Sequence, residues 1–181
     1  MEIKVLFTEP CIEIDGIKYH HHPNGGGLIS ETAKVAATAY VGPAARVYEK
    51  GQVSGNAKIA GNAQIFGEGR VSDKAVVSGN AQVFGNGQVY ENAQVFGNAR
   101  VYNSAGVFGN AQVSGYTRIS GKAQVCGNAR VHDNALVYEY AMVFGDARVH
   151  DNALVYGHAR VSGNANIYGD SVLTGHKQIS T

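Results

Sequence analysis

From Ile29 to Ile179 every sixth residue is Val, Ile or Leu without exception, as in Val83, Val89, Val95 and Val101. The fourth residue after each beat is almost always small, as at Ala57 and Ala63, with Thr117 and Ser171 the largest until Lys177. A period of six fits neither the 3.6 of a helix nor the longer alternation of hairpins. It fits short strands joined by tight corners, with two inward positions per hexad, one aliphatic and one small. Every beat residue except Leu173 is β-branched, which suits a pleated, buried site. Between beats the commonest text is Gly-Asn-Ala, as at Gly61-Asn62-Ala63. Gly and Asn tolerate positive φ at least cost, so the pair is expected to form the corners.

Residues 1–28 stand outside the beat. Ile3, Val5 and Phe7 alternate with polar neighbours, as do Ile12 and Ile14, and Asp15-Gly16 before Ile17 is a type I′ turn signal. A small antiparallel β element is expected here, capping the open strand edges at the end of a stack of coils. His20 to Gly27 is rich in breakers and reads as a hinge or loop. Neighbouring histidines in an extended chain point to opposite sides, so His20, His21 and His22 make a poor chelate and no metal is expected. The division is thus a cap over 1–28 and a repeat domain over 29–181.

The aliphatic-x-x-[Asn/Gly]-small-x text resembles the hexapeptide-repeat family of left-handed parallel β-helices. That resemblance implies an all-β fold, a single-stranded left-handed parallel β-helix with three hexads per coil in a triangular prism. Twenty-five hexads then make just over eight coils, about 40 Å long at one strand spacing per coil. Asn62, Asn80 and Asn98 fall at equivalent corners, as do Asn92, Asn110 and Asn128. Their amides are placed to bond to one another up the stack.

Positions 18 apart stack in such a prism, which makes the outward columns readable. The first face shows Tyr48, Phe66, Phe84, Tyr102, Ser120, Tyr138 and Tyr156, beside Arg46, Gln64, Gln82, Arg100, Arg118, Leu136 and Leu154. An aromatic stripe of this length exceeds what a monomer normally exposes, so the six aromatics are the expected oligomer interface. A ladder that satisfies itself along the coil axis is the plainer alternative. Relatives in the family are usually trimers packed through one prism face, which favours a homotrimer. The second face carries Tyr90, Phe108, Cys126 and Phe144, and Cys126 reads as an apolar rung. The third carries Arg130 and His132 below Arg148 and His150, with Asp133 and Asp151 at the corner, because Ala129 to Tyr138 recurs as Ala147 to Tyr156.

Two arginines one strand spacing apart repel unless an anion or carboxylate lies between them. Either the nearby aspartates answer them at the surface, or Arg130, His132, Arg148 and His150, with Arg100 and Arg118 on the first face, bind a nucleotide-like anion. Characterised members of the family are largely acyltransferases with a histidine base and a coenzyme A donor, a role His132 or His150 would take here. This chain departs from that pattern: no loop interrupts the hexads, and no helical segment follows them.

Composition narrows the choice. The chain has 181 residues with 16% charged, a formal charge of +1 and a pI near 7.8, which gives no global field for nucleic acid or an anionic membrane. No apolar run approaches a spanning helix and the start lacks the form of a signal peptide, so a cytoplasmic protein is expected. Cys11 and Cys126 suggest neither a disulfide framework nor a metal knuckle. The text looks most like the uncharacterised hexapeptide proteins of bacteria and phages. The expected function is a non-enzymatic binding or assembly module without cofactor, sequestering a small anion or inhibiting a protein partner, with acyl transfer as the alternative.

Overall fold

The beat becomes three walls of parallel strands in the computed structural model, which describes residues 11–181; the expectations for Ile3, Val5 and Phe7 lie outside the described residues. After β1 (Ile12–Ile14), β2 (Ile17–His21) and β3 (Leu28–Ser30), two-residue strands recur every six residues, lengthening to three only at Arg160–Ser162 and Gln178–Ser180. Strands 18 residues apart pair in register, Gln82 with Arg100 and Val83 with Val101. The first face runs from Leu28–Ser30 to Val172–Leu173, the second from Lys34–Val35 to Gln178–Ser180 and the third from Tyr40–Val41 to Asn166–Ile167. The chain is therefore an all-β parallel solenoid of about eight turns and triangular section, consistent with the left-handed coil expected.

Each coil holds the next by main-chain bonds on both flanks of the beat: Gln82 N–H donates to Ala99 C=O at 2.9 Å and Phe84 N–H to Val101 C=O at 3.0 Å. The beat residue between them points inward. From Val41 to Val155 the beat valines and isoleucines are sealed from solvent, and the facing alanines with them. Thr117 is the one hydroxyl among the fully buried small positions, and it donates to Ser114 C=O at 2.6 Å, so its burial leaves no unpaired polar atom.

The corners divide labour differently from the expectation. Most are closed by a bond across the turn, as from Ala81 N–H to Ser78 C=O at 3.3 Å. Positive φ falls on the residue two after the beat, Gly79 (φ 69) for example, and not on the following Asn. The asparagines do the other task predicted of them. Asn62 Nδ2 donates to Asn80 Oδ1 and Asn80 to Asn98, each at 3.1 Å. Two further ladders run Asn92, Asn110, Asn128, Asp146 and Asn134, Asn152, Asp170.

Where glycine is replaced at the positive-φ site, the substitute is usually acidic: Glu49, Asp73, Glu91, Asp133, Glu139 and Asp151 all have φ between 54 and 61. In Glu49, Asp73, Asp133 and Asp151 the carboxylate recovers part of that strain by accepting the N–H of its equivalent one coil on. Glu49 accepts from Gly67 at 2.8 Å, Asp73 from Glu91 at 3.0 Å and Asp151 from Gly169 at 2.9 Å.

At the N-terminal end, Asp15 (φ 52) and Gly16 (φ 75) form the expected tight turn between β1 and β2. β2 pairs antiparallel with β3 and so continues the first face. His20 and His21 belong to β2 instead of a loop, and His22 is buried at 4% exposure with its Nδ1 3.1 Å from the Asn24 carbonyl oxygen. The turn that follows lies along the first strand of the third face: Val41 N–H donates to Asn24 C=O and Gly27 N–H to Val41 C=O.

Packing between coils is close at Gly51, Gly69 and Gly87, the glycines of the inward small positions that follow the first face. A Cβ on Gly69 would press into the Val83 carbonyl oxygen, a main-chain atom that cannot turn aside. Gly69→Ala is expected to destabilise the fold by about 1–3 kcal/mol, read as a fall in the denaturant midpoint.

Candidate functional site

The duplicated coil places its polar residues by register alone. Val131 and Val149 are sealed inside, so Arg130 and His132, and Arg148 and His150, project outward on either side, with Arg130 paired to Arg148. One strand spacing brings the two imidazoles into a parallel stack, centroids 4.9 Å apart and planes within 6°. Tyr168 extends the stack above His150 at 5.8 Å.

The corner aspartates turn toward the histidines. His132 Nδ1 stands 3.0 Å from Asp133 Oδ2 and His150 Nδ1 3.4 Å from Asp151 Oδ2. Asp133 Oδ2 also accepts the Asp151 N–H at 3.3 Å. The Gly169 N–H and the His150 side chain hold the Asp151 carboxyl below its ordinary range. On the opposite ring edge, His150 Nε2 lies 3.0 Å from Asn166 Oδ1, and Asn166 occupies the column of Arg148. The site is open: the His132 and Asp133 side chains are 38% and 51% exposed.

These contacts redistribute the expected pairings. The aspartates are engaged by imidazole and main chain, and among the described residues no carboxylate comes within ion-pair distance of Arg130 or Arg148. Arg100 and Arg118 pair in register on the first face and are likewise without a carboxylate there. The structure thus gathers Arg130, His132, Arg148 and His150 on one face and sets Arg100 and Arg118 on another.

The first face resolves its aromatics into two stacks. Tyr48, Phe66, Phe84 and Tyr102 form one continuous run at 4.9 Å with planes within 5°. Ser120 breaks it, and Tyr138 and Tyr156 resume at 4.8 Å. All six are half-buried by their own neighbours, so the self-satisfying ladder is realised within one chain. Beside the second stack, Leu136 pairs with Leu154 and Leu154 with Val172, a wholly aliphatic column. On the second face Tyr90 stacks on Phe108, and burial pushes the Cys126 thiol up, away from the thiolate a nucleophile needs.

Two arrangements escaped the sequence reading. The histidine–aspartate pairs were signalled by His-Asp adjacency in the duplicated text, but which partner an aspartate takes depends on the positive-φ corner. The other is a corner column after the first face, where Tyr140, His158 and His176 stack at 4.9 and 5.0 Å and Lys122 Nζ lies 5.3 Å from the Tyr140 ring. Its signal was the same spacing of 18.

Asp151 carries a pH dependence of definite sign. A carboxyl whose folded pKa is depressed contributes stability that is complete above its unfolded value and fades as pH falls through the folded one. Asp151→Asn is therefore expected to flatten the acid limb of the stability profile below about pH 4 and leave neutral-pH unfolding cooperative, as thermal melts across pH would record.

Over residues 93–109 and 123–139 the chain matches the family model described as YdcK Beta solenoid repeat. Both segments begin at an inward alanine, Ala93 and Ala123, and the second takes in Arg130, His132 and Asp133. No curated protein matches the chain at a significant level. The match and the three-walled fold together support a β-solenoid repeat protein.

Proposed function

We propose that this solenoid is a rigid, non-enzymatic binding and assembly module that associates through its first face, as a homotrimer. The observation that carries this reading is the charge-free end of that face. Leu136, Leu154 and Val172 run beside Tyr138 and Tyr156, and Val172 is 51% exposed. Contiguous apolar surface of this kind marks an interaction site on a soluble protein. The hexapeptide-repeat resemblance supplies the threefold arrangement, and the cytoplasm is the proposed compartment. No helix among the described residues is long and apolar enough to cross a membrane.

The unpartnered arginines favour a second activity on the same scaffold, capture of a nucleotide-like anion by Arg130 and Arg148 with His132 and His150 beside them. Guanidinium groups one strand spacing apart are well placed for charge-assisted bonds to phosphate. Acyl transfer is the weaker reading. A carboxylate-oriented imidazole such as His132 with Asp133 has the makings of a general base. It stands on an open wall, however, and from Ile29 onward the corners are too short to fold over an acceptor.

Leu136→Lys combined with Leu154→Lys is expected to convert the trimer to monomer in native mass spectra; a wild-type chain that is monomeric at micromolar concentration overturns the assembly reading. Arg130→Ala combined with Arg148→Ala is expected to abolish nucleotide binding in calorimetric titration. Unchanged affinity overturns the anion reading and leaves the assembly reading standing.

A further inference from the structure

The duplicated coil also meets the requirements of a metal site, independently of how the first face assembles. His132, Asp133 and His150 each offer one ligand atom, and these atoms all lie within 4.8 Å of one another. Donors around a tetrahedral zinc ion stand about 3.4 Å apart, given zinc–nitrogen bonds of about 2.0–2.1 Å. Rotation of outward-facing side chains spans that difference, and the main chain beneath them is held by the coil-to-coil ladder. His132 N–H donates to Val149 C=O and His150 N–H to Ile167 C=O, each at 3.0 Å.

Charge is sorted across the imidazoles. Their Nδ1 edges face the carboxylates of Asp133 and Asp151, whereas His150 Nε2 faces Asn166 in the arginine column. A cation on the Nδ1 side meets two carboxylates and has the width of the rings between it and the guanidinium groups. The aspartates are set in place beforehand, since Asp133 accepts the Asp151 N–H and Asp151 the Gly169 N–H. The other stacked histidines, His158 and His176, have Tyr140 and Lys122 in their column and no carboxylate among them.

We infer that His132 and His150, with the Asp133 carboxylate as third donor and Asp151 neutralising the charge, bind one divalent ion of the zinc class. Two imidazoles and a carboxylate suit zinc, cobalt or copper and are a poor set for calcium or magnesium, which prefer oxygen ligands throughout. The site differs from a chelate within a single strand. Residues 132 and 150 belong to successive coils, so the bound ion would clip two coils together on their outer surface.

The test is zinc stoichiometry on the full chain, stripped with chelator, equilibrated at micromolar free zinc, desalted and measured by elemental mass spectrometry. Cobalt absorption reports coordination number. The wild type is expected to retain one equivalent that His132→Gln combined with His150→Gln loses and His158→Gln combined with His176→Gln keeps. Asp133→Asn tolerates the positive-φ corner and keeps a side-chain oxygen for the Asp151 N–H, so it tests the carboxylate without unmaking the turn. It is expected to weaken zinc binding by at least ~10-fold, with circular dichroism confirming the fold of each variant. A wild type that holds no zinc, or an equivalent that survives in the His132/His150 variant, overturns the assignment.

Discussion

Register at one coil spacing is the constraint from which the surface chemistry follows. Parallel strands pair residue i only with residues i−18 and i+18, as Arg100 with Arg118 and Leu154 with Leu136 and Val172. Every outward side chain therefore has its own column-mates as nearest neighbours, one strand spacing above and below. Aromatic rings in that position stack, amides form ladders, and aliphatic groups make a continuous strip. Like charges have no such resolution within the column, which is why the arginine pairs stand apart from everything else on the surface.

The inner wall was legible because burial accepts few answers. A site with a main-chain bond on either flank and a sealed interior takes a β-branched aliphatic at the beat and a small residue at the corner, so Val131 or Ala135 announces its own environment. The amide ladders were legible for a similar reason: once 18 is the period, Asn110 can reach little other than Asn128. The tight turn at Asp15 and Gly16 followed from local conformational preference alone.

The acidic corners were not legible, because their logic involves an atom without a sequence letter. Asp73 and Asp151 occupy positive φ, a conformation disfavoured for a residue with a Cβ. They are accommodated there by the main-chain N–H of the coil above. From the sequence, Asp151 looked like a partner for Arg148; the turn aims it at Gly169 and His150 instead. His22 misled in a comparable way: three adjacent histidines suggest a solvated tract, yet the alternation of β2 breaks at its end, leaving His21 exposed while the turn bond from His22 N–H to Gly27 C=O carries His22 inside.

The amide ladders have a direction. Each Nδ2 donates toward the C-terminal end, and two of the ladders close on a carboxylate, Asp146 and Asp170, which accepts and cannot pass the bond onward. A whole coil inserted below such a terminus leaves every donor facing an acceptor, whereas an insertion of any other length breaks the ladders and shifts the three walls against one another. The verbatim recurrence of Ala129 to Tyr138 as Ala147 to Tyr156 is an increment of that permitted size. Length in this architecture is quantised: the molecule behaves as a ruler graduated in coils, able to grow or shorten by whole graduations while its cross-section stays the same.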